Sequence, residues 1–340
     1  MLLGAGVFAV GARLWLADAT PVEPAGPAVR GASLGLFASD PAYDYSDMID
    51  ELADRGATDV LVVVPLVQTD VTSHDLALVD GASPSFDTVS RTLEFARRRG
   101  LRTGLMPIVR LTERRPDEWR GVLAPAASAE VWFDAYRQQL LPLVELADDR
   151  GVAWVGVGSE LSSLEGQEAQ WRGLVAEVRA TTEAQLFYAA NWDRVDAVPF
   201  WDAVDAVGVS GYFALAPEGT RPTDGALAAA WAGPRRSLQA TASREGRPIL
   251  FAEVGYPSHA LAAARPWDHV VDAPADLELQ AQLWGAFCDA FSGAEGVAGF
   301  YAWNWFGRGG PRDVGYTPRG KPAATTLEGC WGRSTWDLGG

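Results

Sequence analysis

Two short stretches each place a carboxylate where it could do chemistry. The first is Gly151–Glu165, GVAWVGVGSELSSLE, in which a run rich in valine and glycine ends on Glu160. The second is Pro248–Ser258, PILFAEVGYPS, in which an apolar run ends on Glu253. A continuous apolar run closed by turn residues predicts a short strand buried on both faces. A glutamate directly after such a strand stands at its C-terminal end, which in a parallel α/β barrel is the face where catalytic residues gather. One glutamate there is usually a helix cap or half of a surface ion pair. Two of them, about three βα units apart in a ring of eight, face each other across one mouth. One carboxyl can then attack while the other gives and takes a proton. Cleavage of a glycosidic bond with retention uses such a pair, with the carboxyls roughly 5–5.5 Å apart.

The elements that would hold this pair follow from the alternation along the chain. Ala32–Phe37 predicts a first strand, and SDMIDELADRG an amphipathic helix stopped by Gly56. Strand patterns recur from Asp59, Leu101, Leu186, Ala206 and Val297. Helical patterns intervene at 86–99, 129–149, 167–182, 226–243 and 276–291. Strand and helix alternating at a pitch of about thirty residues predict an α/β fold, a single (β/α)8 TIM barrel over residues 31–333, with 334–340 as a short tail. Residues 1–30 read as an apolar segment plus a Pro/Ala/Gly linker. Leu2–Leu16 is interrupted by Arg13, and DATPVEPAGPAVR follows. The segment is short for a membrane span and lacks a basic flank. It reads either as a weak signal peptide or anchor with its tether, hence an exported or membrane-tethered protein, or as a helix capping the barrel floor. The second reading leaves a cytoplasmic protein open.

Composition narrows the partners. The net charge of −16 and the pI near 4.6 argue against nucleic acid and anionic lipid. A neutral oligo- or polysaccharide is compatible with that charge, and no protein partner is evident, so a monomer is expected. His74, His259 and His269 form no ligand-spaced cluster with the two cysteines, so no metal is expected. There is no P-loop, no dinucleotide fingerprint and no lysine placed for a Schiff base, so no cofactor is expected. Cys288 and Cys330 are free to pair if the protein is exported. Of the fourteen tryptophans, core filling accounts for about half, and several of the rest could line a carbohydrate cleft. Trp119, Trp192, Trp303 and Trp305 fall at or after strand ends, where flat rings could stack on sugar faces.

Seven stretches in one order carry a family resemblance: PLVQTDVTSHDL, the WRG at Trp119–Gly121, VGSELSSLE, YAANWD, DAVGVSGYFAL, FAEVGYPS and GYTPRGKPA. Over about residues 65–323 the chain resembles glycoside hydrolase family 113, β-mannanase-type retaining enzymes on a (β/α)8 barrel. The resemblance implies Glu160 as acid/base and Glu253 as nucleophile in a double displacement on a β-linked, β-mannan-type polysaccharide. It further implies that Tyr212 orients the nucleophile, that Trp303 floors the reacting subsite, and that Asn191 and Trp192 reach the same cleft. Two departures stand out. Ser159 occupies the position where the clan commonly has an asparagine bonded to the sugar. Met106 and Ile108 stand where the family tends to place a lysine or histidine, leaving Arg110 to supply part of that contact. The altered third strand motivates the alternative, a non-catalytic glycan-binding or cell-surface scaffold, although such a protein would need neither glutamate.

Overall fold

The computed structural model describes residues 26–338. The apolar N-terminal segment and most of the linker lie outside the described residues. Eight parallel strands close into a barrel in chain order, with β1 (Val29–Gly35) pairing both β2 (Asp59–Gln68) and β8 (Val297–Ala302). Between them run β3 (Arg102–Leu111), β4 (Trp154–Ser159), β5 (Gln185–Asn191), β6 (Ala206–Ser210) and β7 (Ile249–Val254).

The β-branched runs make these strands, because both of their faces are covered. In β2, DVLVVVPLVQ, every residue is buried. Val60, Val62 and Val64 point outward into the layer beneath the helices, while Leu61 and Val63 point into the barrel. The interior is plugged by Met106, Ile108, Trp154, Phe187, Leu250 and Tyr301 among others, so the barrel is a packed core and not a channel.

Among the described residues seven α-helices form the sleeve: α1 (Ser46–Asp54), α2 (Phe86–Arg98), α3 (Ala129–Asp149), α4 (Glu168–Thr181), α5 (Asp224–Glu245), α6 (Leu277–Phe291) and α7 (Pro322–Trp331). Ser85, Ser128, Thr223 and Asp276 cap four of them by accepting a backbone N–H of the first turn. The β5–β6 crossover has no α-helix. Two 3-10 turns, Val195–Ala197 and Trp201–Ala203, replace it, with Pro199 between them.

One boundary differs from the expectation. β1 begins at Val29, inside the expected linker, because its edge is taken up by β8. Within the short tail, residues 334–338 form a 3-10 helix, with Trp336 buried and its ring 5.3 Å from that of Phe300. Cys288 on α6 and Cys330 on α7 are disulfide-bonded, their Cα atoms 5.9 Å apart. Among the described residues no helix is long and apolar enough to cross a membrane.

Candidate active site

The strands that carry the two glutamates are irregular where it matters. Pairing of β4 with β5 slips between Gly156 and Gly158, and pairing of β6 with β7 slips between Val209 and Ser210, bringing Ser210 level with Glu253. Such bulges re-aim the side chains that follow them. Glu160 leaves β4 with φ at +53°, the one non-glycine residue at positive φ among those described. A left-handed glutamate is uncommon and costs of order 1–3 kcal/mol, so its surroundings must enforce it. They do so from both sides: the Glu160 N–H bonds the Ala189 carbonyl at 2.7 Å, and the Leu161 N–H bonds the Tyr188 hydroxyl at 3.0 Å. Tyr188 in turn donates to buried Glu165 at 3.1 Å.

Both glutamates are buried at the C-terminal mouth, and Arg120 joins them. Its Nη2 lies 2.6 Å from Glu160 Oε2 and 3.6 Å from Glu253 Oε1. Because one nitrogen reaches both, these oxygens lie no farther apart than the two distances laid end to end. That span falls short of the ~6.5 Å at which inverting pairs begin. Tyr212 donates its hydroxyl to Glu253 Oε2 at 3.1 Å, and Ser159 donates to Glu253 Oε1 at 3.1 Å. The expected sugar contact of Ser159 is thus, in the free protein, a bond to the second carboxylate.

The electrostatics follow from this packing. Burial, and then the charge of Glu160, push the Glu253 carboxyl up to about 7, against the opposing pull of Arg120, Tyr212 and Ser159. Burial works against the charge on Arg120, but Glu160 and Glu253 outweigh it and hold its pKa above the ordinary value. Burial and the adjacent Glu253 raise the Tyr212 phenol well above its usual range, so it remains a donor. The group is a carboxylate pair with a built-in counter-charge and two fixed donors.

The other expected residues distribute around this centre. Asn191 ends β5 and donates to Asp193 at 2.9 Å. Trp192 is partly exposed and stacks on Trp267, with centroids 6.3 Å apart and planes 18° apart. Trp303 is partly exposed at the end of β8, with its ring 6.0 Å from Phe37. Trp119 lies over Gly121, where an added Cβ would fall 2.3 Å from the indole; this close approach shapes the loop that delivers Arg120. Arg110 lies with its guanidinium 5.4 Å from the centre of the Phe37 ring. Met106 and Ile108 sit in the barrel plug. Trp305 does not belong to the cleft. It is fully buried, its ring 5.8 Å from Trp331 of α7, because its N–H bonds Ser33 of β1 and turns the side chain into the sleeve.

Four residues of the site escape a reading strand by strand: Arg120, Trp267, and the brace formed by Glu165 and Tyr188. For Arg120 a signal existed, a charged residue between tryptophan and glycine in a loop that must face two carboxylates. A groove of about 870 Å³ between α5 and α6, lined by Trp231 and Arg235 among others, lies on the flank of the barrel. Neither Glu160 nor Glu253 lines it. Among the described residues no group of three or more His, Cys, Asp or Glu side chains could hold a metal ion.

Comparison with known proteins finds likenesses of sequence and of fold. The sequence profile of Glycoside Hydrolase Family 113 matches residues 32–314. The β-mannanase AaManA of that family from Alicyclobacillus acidocaldarius, solved in complex with ManMIm, superposes with a TM-score of 0.80 at 25% identity. The match covers 90% of this chain and 98% of that one. A GH113 β-1,4-mannanase superposes at 0.81 with 20% identity, covering 91% and 100% of the two chains. A β-1,4-galactanase of fungal origin reaches 0.57 at 17% identity, covering 88% and 93%. The latter two likenesses speak for the fold alone. No functionally curated protein matches the sequence.

Proposed function

The chain belongs to glycoside hydrolase family 113, and from that premise we propose that it cleaves a β-mannan-type polysaccharide with retention, through Glu253 and Glu160. The observation that carries this reading is the placement of both buried carboxylates within reach of one Arg120 nitrogen. In the first half-reaction Glu253 attacks the anomeric carbon as Glu160 protonates the departing oxygen. The charge on Glu253 becomes an ester, and a new charge appears on Glu160. In the second half-reaction Glu160 takes a proton from water as the water displaces Glu253. One negative charge thus shuttles between the two carboxyls, and Arg120 is placed to meet it at either end. Tyr212 and Ser159, both donating to Glu253, hold it in line for attack and stabilise it as the leaving carboxylate.

Trp303, and Trp192 stacked with Trp267, supply flat apolar faces for successive sugars. AaManA is a β-mannanase, and family membership together with the cleft favours the same polysaccharide class here. A non-catalytic scaffold is not favoured, since nothing in mere glycan binding calls for two carboxylates buried against each other. Export is part of the same proposal. The Cys288–Cys330 disulfide supports it, because such bonds persist mainly in oxidising compartments.

The test is reducing-sugar release from mannan, glucomannan, galactan and mixed-linkage glucan by wild type and by Glu253→Ala, with proton NMR of the anomer first released. Cleavage of mannan with the β-anomer first, lost by at least about 10⁴-fold in the variant, is the expected result. Full activity in Glu253→Ala, or first release of the α-anomer, would sink it.

A further inference from the structure

Of the 28 lysines and arginines in the chain, 27 are arginine and one, Lys321, is lysine. That one lysine is enclosed, with 0% of its side chain exposed. Burial works against its charge, and it stands at the N-cap of α7, where the helix dipole disfavours a cation. A buried ammonium persists only where its three N–H donors are met. Here Nζ donates to Ser258 Oγ at 2.9 Å, to the Gly315 carbonyl at 3.0 Å and to Asp313 Oδ1 at 3.3 Å. Three acceptors converging on one nitrogen suit a compact ammonium and not the planar fork of an arginine.

The acceptors come from two loops. Ser258 belongs to the 255–276 loop between β7 and α6, shortly after Glu253, while Asp313 and Gly315 belong to the 303–321 loop between β8 and α7. Ser258 is also the base of its own loop. Its carbonyl accepts the Asp276 N–H at 2.9 Å, its N–H reaches the Val314 carbonyl at 3.0 Å, and its hydroxyl donates to the Asp313 carbonyl at 2.7 Å. Tyr316, next to Gly315, carries this junction to the chemistry. Its hydroxyl donates at 2.8 Å to the carbonyl of Pro266, the neighbour of Trp267. Its ring lies 5.9 Å from that of Tyr212, the donor to Glu253 Oε2. On Gly255 an added Cβ would fall 3.2 Å from Cδ1 of Tyr316 and 2.4 Å from the Trp303 carbonyl, so a glycine is what lets the ring approach the strand that bears the nucleophile.

We propose that Lys321 is a positioning residue of the active site: its ammonium joins the two loops at Ser258 and Gly315, seats Tyr316 behind Tyr212, and so keeps the Tyr212 hydroxyl on Glu253. The inference rests on the glycoside hydrolase reading and adds to that site a residue that touches no substrate. Among the described residues Tyr316 gives Tyr212 its one ring contact, so the aim of the Tyr212 hydroxyl depends on where Tyr316 is held. The same junction holds the backbone beside Trp267, and through it the stack on Trp192.

The experiment uses Lys321→Met, which removes the charge and keeps the bulk, and Ser258→Ala, which removes one acceptor, with thermal unfolding to show that each is folded. On β-1,4-mannooligosaccharides Lys321→Met should lower kcat roughly tenfold with KM nearly unchanged. It should also move the acid limb of the kcat/KM profile upward, in the direction of Tyr212→Phe and by no more, and Tyr212→Phe added to it should move the limb little further. Glu160, Arg120 and Ser159, which also act on the Glu253 carboxyl, are the same in both variants. Ser258→Ala should shift the limb the same way by less. An acid limb that stays in place in the folded variants, whatever their stability, or shifts that simply add to that of Tyr212→Phe, overturn the proposal; if Lys321→Met does not fold, Ser258→Ala decides in the same terms. The single lysine supplies a second readout, since an amine-acylating ester has only that side chain and the α-amino group to attack. Peptide mapping should find Lys321 acylated at least about tenfold faster in Ser258→Ala than in wild type, and equal rates count against the junction. If wild type cleaves no mannooligosaccharide, the hydrolase reading on this backbone has failed. Carbon NMR of 13C-glutamate-labelled protein, with the Glu253 signal assigned through Glu253→Gln, then decides the Lys321 proposal alone: an upward shift of that titration in Lys321→Met upholds it, and an unmoved titration overturns it.

Discussion

Arg120 illustrates how much a single side chain can be asked to do in a buried carboxylate pair. Without it, Glu160 and Glu253 would be two like charges in a desolvated mouth, and one would stay protonated far into the neutral range. With it, Glu253 sits at about 7, so kcat/KM should rise with pH through that region as the nucleophile ionises. Arg120 lowers the Glu253 pKa, hence its removal must raise it. Arg120→Ala is therefore expected to move the acid limb of the kcat/KM profile upward and to lower the maximum by roughly 10²–10³-fold, about 3–4 kcal/mol of transition-state stabilisation. Tyr212→Phe removes another hydrogen bond that lowers the same pKa, so its acid limb should also move up, with a smaller loss at the plateau. A pH–rate series on the two variants checks both. An acid limb that stays in place, or moves down, would show that neither group bears on the nucleophile.

At the scale of the element, the turn after β4 is where local preference yields to tertiary demand. Glu160 takes the left-handed conformation because Tyr188 of β5 holds the next N–H, and Glu165 holds Tyr188. Burial raises Glu165 to about 7. A carboxyl whose folded pKa exceeds its ordinary value of 4.5 favours the folded state below that value, and the contribution is lost as pH rises toward 7. Glu165→Gln should flatten the fall in melting temperature between pH 4.5 and 7, an effect of at most a few kcal/mol. Tyr188→Phe leaves the Leu161 N–H buried without its partner. It should cost about 1–3 kcal/mol of stability and lower kcat more than it changes KM. Thermal melts across that pH range and steady-state kinetics decide, and a Glu165→Gln melt that tracks wild type at every pH would discard the brace.

The same turn shows what a sequence reader can and cannot see. Glu160 and Glu253 are legible because each ends an uninterrupted apolar run, a strictly local pattern. Arg120 is not legible in that way, since its importance arises only when the loop after β3 folds over the mouth. Trp303 and Trp305 look alike two residues apart. Only the long-range bond from the Trp305 N–H to Ser33 sends one toward the cleft and the other into the sleeve.

At the scale of the whole molecule, the barrel closes on a strand pair, β1 with β8, and what secures that closure lies behind it. α6 precedes β8 and α7 follows it, the two helices lie side by side, and the Cys288–Cys330 bond joins them across a sequence separation of 42. Both sulfurs are buried, and Trp331, next to Cys330, reaches Trp305 beneath the last loop of the site. Unfolding must open that loop, and in the chain-entropy account a link over about forty residues removes about 4 kcal/mol of freedom from the unfolded chain. The double substitution Cys288→Ala, Cys330→Ala should therefore lower stability by about 2–4 kcal/mol in urea, with the midpoint moved and the slope raised, because the unlinked chain exposes more surface when it unfolds. The bond lies in the sleeve and the chemistry lies at the C-terminal mouth, so the folded double variant should keep the pH profile of wild type. A variant equally stable but altered in that profile would mean that the disulfide acts on the site and not on the closure.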